Sequence, residues 1–152
     1  MKITKTGPKG IELIKQFEGF SAKPYKCPAG ILTIGYGATY YPNGAKVTMA
    51  DKEITEAMAT NLLADMLGTY EKSVDSYCVD TITQNQFDAL VSFAYNLGVG
   101  NLKSSTLLKK VNANPNDTTI RAEFMKWTKA GGKILTGLVK RRTAEADLYF
   151  AV

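Results

Sequence analysis

Three residues in one short stretch, FEGFSAKPYKCPAGILTIGYG over 17–37, carry side chains that could do chemistry together: Glu18, Cys27 nine positions on, and Thr33 six beyond that. A carboxyl can donate a proton, a thiol or thiolate can attack or orient water, and a hydroxyl can hold water in place. Glu18 closes an apolar helical pattern. A carboxylate there faces the negative end of the helix dipole, which disfavours its charged form where solvent is partly excluded. A carboxyl that keeps its proton near neutrality suits general acid cleavage of a glycosidic bond, with a second group across the sugar to position or activate water. The chain has no histidine, which removes Ser-His and Cys-His nucleophile systems. With only Cys27 and Cys78 as thiols it also has too few soft ligands for a His/Cys zinc site, so no metal and no cofactor are expected.

The elements that must hold these residues are legible in outline. Pro8 suits a first helical turn, Ile11, Ile14 and Phe17 recur at spacing three, and Gly19 offers a stop, so a short helix ends at Glu18. From Pro24 to Val47 the pattern changes to short runs rich in Tyr, Ile and Thr, broken by PAG at 28–30 and PNG at 42–44, which predicts an antiparallel sheet of two or three strands. Folding across the PAG turn brings Cys27 and Thr33 near each other, and Gly30, Gly35 and Gly37 allow close backbone approach. Thr55 caps a long helix running to about Ser76 on Met58, Leu62 and Met66. The remainder reads as wholly helical: Thr83 and Gln86 form a capping-box pattern before a helix ending near NLGVG, then come STLLKKV, TIRAEFMKW up to Gly131 and Gly132, and GLVKRRTAEADLYF.

Composition narrows the classes. At 152 residues, 45% hydrophobic and 22% charged, the chain suits one domain or two lobes sharing a core, with no apolar run near the ~20 residues of a membrane span. MKITKTGPKG lacks the apolar core of a secretory signal, which makes the cytoplasm the expected compartment. Two cysteines are too few for a disulfide framework and are expected as free thiols. The net charge of +5 suits an anionic partner, but only KRR at 140–142 forms a basic cluster, so a nucleic-acid-binding role has no contiguous stripe to support it.

Glu18, the polar residue nine on, the threonine six further and the TIGYG that contains it resemble the active-site signature of the phage-type lysozymes, glycoside hydrolase family 24. QFDALVSFAYNLGVGNLKSSTLL at 86–108 and GLVKRRTAEADLY at 137–149 are similar to two further segments of phage endolysins in that family, so the likeness covers nearly the whole length. The resemblance implies an α+β, mainly α, lysozyme-like fold: a small antiparallel-sheet lobe over about 12–60 and a helical lobe over about 61–152, joined by a long helix, with the N-terminal helix packing on the helical lobe and the substrate cleft between the lobes. It implies a single lysozyme domain, a monomer, that hydrolyses the β-1,4 bond between N-acetylmuramic acid and N-acetylglucosamine in bacterial peptidoglycan. By resemblance Glu18 is the proton donor, Cys27 stands where many members carry Asp, and Thr33 helps to hold the attacking water. The implied biology is that of a bacteriolytic endolysin made in the host cytoplasm, released to the wall by a separate holin, with no stable membrane insertion and no nucleic-acid partner.

Two departures from the family pattern matter. Ala38 follows GYG where many relatives have histidine, and Cys27 is a thiol whose reference pKa of about 8.5 leaves it mostly neutral at pH 7, whereas Asp would be ionised. Some members use Glu-Cys-Thr, which makes this a variant of the same site. Cys27 could position water, form a glycosyl-thioether or be inert, and water positioning is favoured. Arg141 or Arg142 is a candidate partner for Glu18, and both are candidates for substrate binding with Tyr36 and Gly37, against the reading of KRR as a solvated helix face. Tyr36, Gly37, Tyr40 and Tyr41 are candidates for lining the cleft, while Phe87, Phe93, Trp127 and Tyr149 are core residues first. The competing reading is a catalytically inactive peptidoglycan-binding or lysis-accessory protein of the same fold.

Overall fold

The computed structural model describes residues 3–152. Its elements are α1 (Pro8–Glu18), β1 (Ser21–Lys26), β2 (Leu32–Gly35), α2 (Glu56–Tyr77), α3 (Gln84–Leu97), α4 (Val99–Ser104), α5 (Thr106–Ala113), α6 (Ile120–Met125), β3 (Lys129–Ala130), β4 (Lys133–Ile134) and α7 (Thr136–Tyr149). This is a mainly helical α+β fold with small antiparallel sheets. No helix among the described residues is long and apolar enough to cross a membrane.

The chain divides into two compact units. One comprises residues 14–68 and the other residues 1–13 with 69–152. In the first, β1 and β2 pair antiparallel with Tyr25 opposite Thr33 and Lys26 opposite Leu32, and a bulge interrupts the ladder between Ser21 and Tyr25. Two isolated bridges, Ile34 with Ala38 and Tyr40 with Lys46, extend the strand pattern past β2, which accounts for the expected third strand. Ile34, Tyr36, Ala38, Val47, Ala59 and Leu63 are buried in this unit. Gly35 has φ of 66°, and a Cβ there would stand 3.2 Å from the Cβ of Ala59, so both its backbone and its space call for glycine. The N–H of Met58 donates to the Thr55 hydroxyl at 3.2 Å, the cap that the sequence predicts for α2.

In the other unit, α3 is buried from Gln86 to Ala94. Thr83 and Gln86 form a reciprocal capping box at its start. The helix stops where Gly98 takes φ of 95° and donates its N–H to the Ala94 carbonyl at 2.7 Å. Phe93 meets Phe124 and Trp127 edge-on, with centroids 5.9 and 5.5 Å apart. The expectation of a wholly helical remainder needs correction: the segment TIRAEFMKW is helical only over Ile120–Met125, and β3 and β4 follow as a small hairpin turning at Gly131 and Gly132, whose φ values are 58° and 79°. Two consecutive positive φ values are the signature of a tight hairpin turn, a stronger device than a helix stop.

Candidate active site

Glu18 is the last residue of α1 and is half-buried. Gly19 follows with φ of 74° and an N–H bond to the Lys15 carbonyl at 3.0 Å, so the helix is closed directly after the acid and the chain is turned into β1. One turn before Glu18, Lys15 lies over the Tyr36 ring at 5.4 Å and pairs with Glu56 at 3.8 Å. Tyr36 is buried and also packs on Phe20 with centroids 5.6 Å apart. Gly37 next to it has φ of 96°, a conformation open to glycine at little cost.

β1 is the spacer between acid and thiol, with Glu18 before it and Cys27 after it. Cys27 opens the turn into β2: its N–H donates to the Ile31 carbonyl at 3.0 Å, and the N–H of Gly30, at φ of 80°, donates to the Cys27 carbonyl at 2.8 Å. The Thr33 hydroxyl lies 3.0 Å from the Ile31 carbonyl and also within reach of the Cys27 sulfur, so its one proton can be given to either acceptor. The backbone N–H of Ile31 first, then the N–H of Ala29 and the Thr33 hydroxyl, stabilise the thiolate and hold the Cys27 pKa below its ordinary value, against a smaller opposing effect of burial. The turn therefore brings Cys27 and Thr33 together as the spacing predicts. It adds three backbone donors, the N–H groups of Ile31, Ala29 and Cys27 itself, that residue types alone do not show.

The two cysteines differ. Both are free, but Cys78 is buried in the other unit, where burial and Asp75 push its thiol up to about 12. Ala38 is fully enclosed at 1% exposure. Tyr40 is exposed, whereas Tyr41 is half-buried and donates its hydroxyl to Asp51 at 2.6 Å. Burial and that bond push the Tyr41 phenol up to about 12.

Arg141 and Arg142 lie on α7 in the unit of residues 1–13 and 69–152 and are buried, at 4% and 0% exposure, so the solvated-face reading of KRR holds only for Lys140. Both pair with Glu145, through Arg142 Nε to Oε1 at 3.0 Å and Arg141 Nε to Oε2 at 3.4 Å. Ser92 donates its hydroxyl to Glu145 Oε2 at 2.5 Å, Arg142 also donates to Asn96, and its guanidinium sits over the Phe93 ring at 5.2 Å. Burial pushes the Glu145 pKa up, and the two guanidinium groups oppose that shift. Glu145 was missed at the level of sequence. Its signal is its position three and four residues after the arginines on one helix.

The family model for phage lysozyme matches residues 15–145, a span that holds Glu18, Cys27, Thr33 and the Arg141–Arg142–Glu145 cluster. The chain belongs to the phage lysozyme family. Within it, an endolysin of Bacillus phage B103 is 46% identical over 92% of this chain but only 52% of its own length, and one of Bacillus phage PZA is 43% identical over 92% of this chain and 53% of its own. The chain thus spans about half the length of these curated relatives. An endolysin of Acyrthosiphon pisum secondary endosymbiont phage 1 is 40% identical with 93% and 94% covered. Among solved structures, an endolysin of the Escherichia coli phage FAHEc1 aligns at a TM-score of 0.88 and 34% identity, over 99% of this chain and 96% of its own. The muramidase domain of SpmX from Asticaccaulis excentricus aligns at 0.83 and 31%, over 99% and 100%. These full-length alignments bear out the lysozyme-like, mainly helical fold expected of the family.

Proposed function

We propose that this phage lysozyme family member is a muramidase that hydrolyses the β-1,4 bond between N-acetylmuramic acid and N-acetylglucosamine in bacterial peptidoglycan, acting as the endolysin of a phage. The observation that carries the reading is the Cys27–Thr33 pair on the hairpin entered directly from Glu18, within the span matched by the family. Glu18 gives its proton to the glycosidic oxygen as the bond to C1 breaks, and an oxocarbenium-like sugar develops. Thr33 and the Cys27 thiolate hold a water on the opposite face, which adds to C1 and gives its proton to the sulfur, and exchange with solvent then returns the proton to Glu18 and restores the thiolate. A larger thiolate fraction makes the sulfur a better acceptor for that water's hydrogen. Tyr36 and Gly37 form the neighbouring wall, and Arg141 and Arg142 contribute through the framework they build around Glu145. The chain works as a single, monomeric lysozyme domain without a cofactor. It is made in the host cytoplasm, depends on a holin for release, and acts on the wall from the periplasm.

The test is digestion of purified peptidoglycan by the wild type and by Glu18→Gln, with mass spectrometry of the released fragments. Reducing muramic ends from the wild type alone support the proposal. Binding without any release by the wild type would replace it with an inactive wall-binding protein.

A further inference from the structure

The β3–β4 hairpin, in the unit of residues 1–13 and 69–152, sets apolar and basic side chains together in water. Every residue from Lys129 to Gly137 is exposed. A Cβ added at Gly131 or Gly132 would meet nothing within 4 Å, so the turn stands clear of its surroundings. Two large apolar side chains lie on the returning strand, Ile134 at 65% and Leu135 at 44% exposure. Ile134 stands opposite Lys129, and cross-strand partners share a face, so an isoleucine and a lysine project side by side. The charge around them has one sign. From Phe124 to Ala144 the sequence has no Asp or Glu. Lys126 is held by Glu123 at 3.0 Å, but Lys129, Lys133 and Lys140 are exposed and make no ion pair among the described residues. The helix that follows adds to this charge. Leu135, the N-cap of α7, gives the first amides no side-chain bond, which leaves the positive end of the helix dipole toward solvent.

We propose that this hairpin is a peripheral docking element for an anionic phospholipid surface, with Ile134 and Leu135 entering the headgroup layer and Lys129, Lys133 and Lys140 meeting lipid phosphates. The pairing of the two chemistries selects this partner. A soluble phosphate polymer or a nucleic acid would satisfy the lysines and leave Ile134 and Leu135 in water, whereas a lipid interface takes up both. Two apolar side chains beside three lysines give reversible attachment at the surface, which requires no membrane-crossing helix. The inference stands apart from the muramidase reading, because it needs only the hairpin and its charge.

Flotation of the full chain with vesicles of phosphatidylglycerol mixed into phosphatidylcholine tests the assignment. The wild type is expected to float with the anionic vesicles and to stay behind with pure phosphatidylcholine. Lys133→Gln is expected to weaken binding about fivefold, the effect of one basic residue near an anionic surface, and Ile134→Ser about tenfold. Lys72→Gln on α2 makes the same change of charge at an exposed lysine away from the hairpin and is expected to leave binding unaltered. Both hairpin positions are exposed, so the two variants should unfold within about 2 °C of the wild type, which separates lost docking from lost folding. Equal binding to pure phosphatidylcholine, equal losses in Lys133→Gln and Lys72→Gln, or unaltered binding in Ile134→Ser would overturn the assignment. So would complete displacement from the vesicles by a soluble glycerol phosphate polymer at matched phosphate concentration and ionic strength, which would make phosphate alone the ligand.

Discussion

Alkylation of the two cysteines provides a sharp test of the hairpin. Cys27 lies below 9.0, so at pH 8 it is at least about 10% thiolate, whereas Cys78 at about 12 is only about 0.01% thiolate. The ratio of reactive species is therefore at least about a thousandfold. A more basic thiolate is intrinsically more nucleophilic, by roughly twentyfold over three units at a Brønsted slope near 0.45, which leaves about fiftyfold in favour of Cys27. Burial of Cys78 widens the margin further. A time course with iodoacetamide, read by mass spectrometry of tryptic peptides, is expected to give complete labelling of Cys27 before Cys78 reacts measurably. Thr33→Ala is expected to slow the Cys27 reaction by removing one of the donors that stabilise its thiolate. Labelling of the two cysteines within about fivefold of each other would refute the account of their environments, and an unchanged rate in Thr33→Ala would refute the role of the hydroxyl.

Other perturbations test the frame that holds the site. Glu145→Gln leaves two buried guanidinium groups without their carboxylate and should cost about 3–5 kcal/mol, lowering Tm by roughly 10 °C in a calorimetric scan; a loss under 1 kcal/mol would show that the cluster is not the ion pair described. Gly10→Ala would set a Cβ 2.6 Å from the Asp88 Cβ and 2.7 Å from Thr6 Cγ2, so urea denaturation should show a loss of about 1–3 kcal/mol. Thr83→Ala removes the α3 cap, for about 1 kcal/mol by the same measurement. Burial raises the Asp88 pKa against bonds from Gly7, Gln84 and Gly10. A raised folded value means that the stability Asp88 contributes is full below its unfolded value near ~3.9 and is lost as pH rises through the folded one. The advantage of the wild type over Asp88→Asn should therefore be larger at pH 4 than at pH 7, and the opposite order would contradict the placement of that carboxyl.

The reach of the sequence differs between the two units. Pro8 and Gly19 mark both ends of α1 because each acts through its own backbone, and the Thr83–Gln86 box is legible for the same reason. The hairpin follows from its turn residues, which is why the meeting of Cys27 and Thr33 could be read from spacing. The β3–β4 hairpin could not. Strands of two residues are too short for an alternating pattern, and Gly131–Gly132 reads equally as a helix stop. The burial of Arg141 and Arg142 was also hidden, because charged residues that satisfy one another inside α7 look polar to any hydrophobic pattern. The thiol's environment lay beyond reach as well, since the Ile31 and Ala29 amides that tune it belong to the backbone and carry no residue signal.

The division of the chain has a consequence for its birth on the ribosome. Residues 14–68 are contiguous, so that unit, with Glu18, Cys27 and Thr33, has all its parts soon after residue 68 emerges. The other unit joins residues 1–13 to 69–152, and its anchors are long-range: Thr6 binds Glu71, Gly7 binds Asp88, and Asn85 binds the Ala151 carbonyl. It must wait for the chain's later segments, holding its opening residues unclaimed through most of synthesis. An aborted translation product would carry the candidate catalytic trio without the unit that completes the fold, which makes assembly itself a checkpoint on when the proposed activity can first appear.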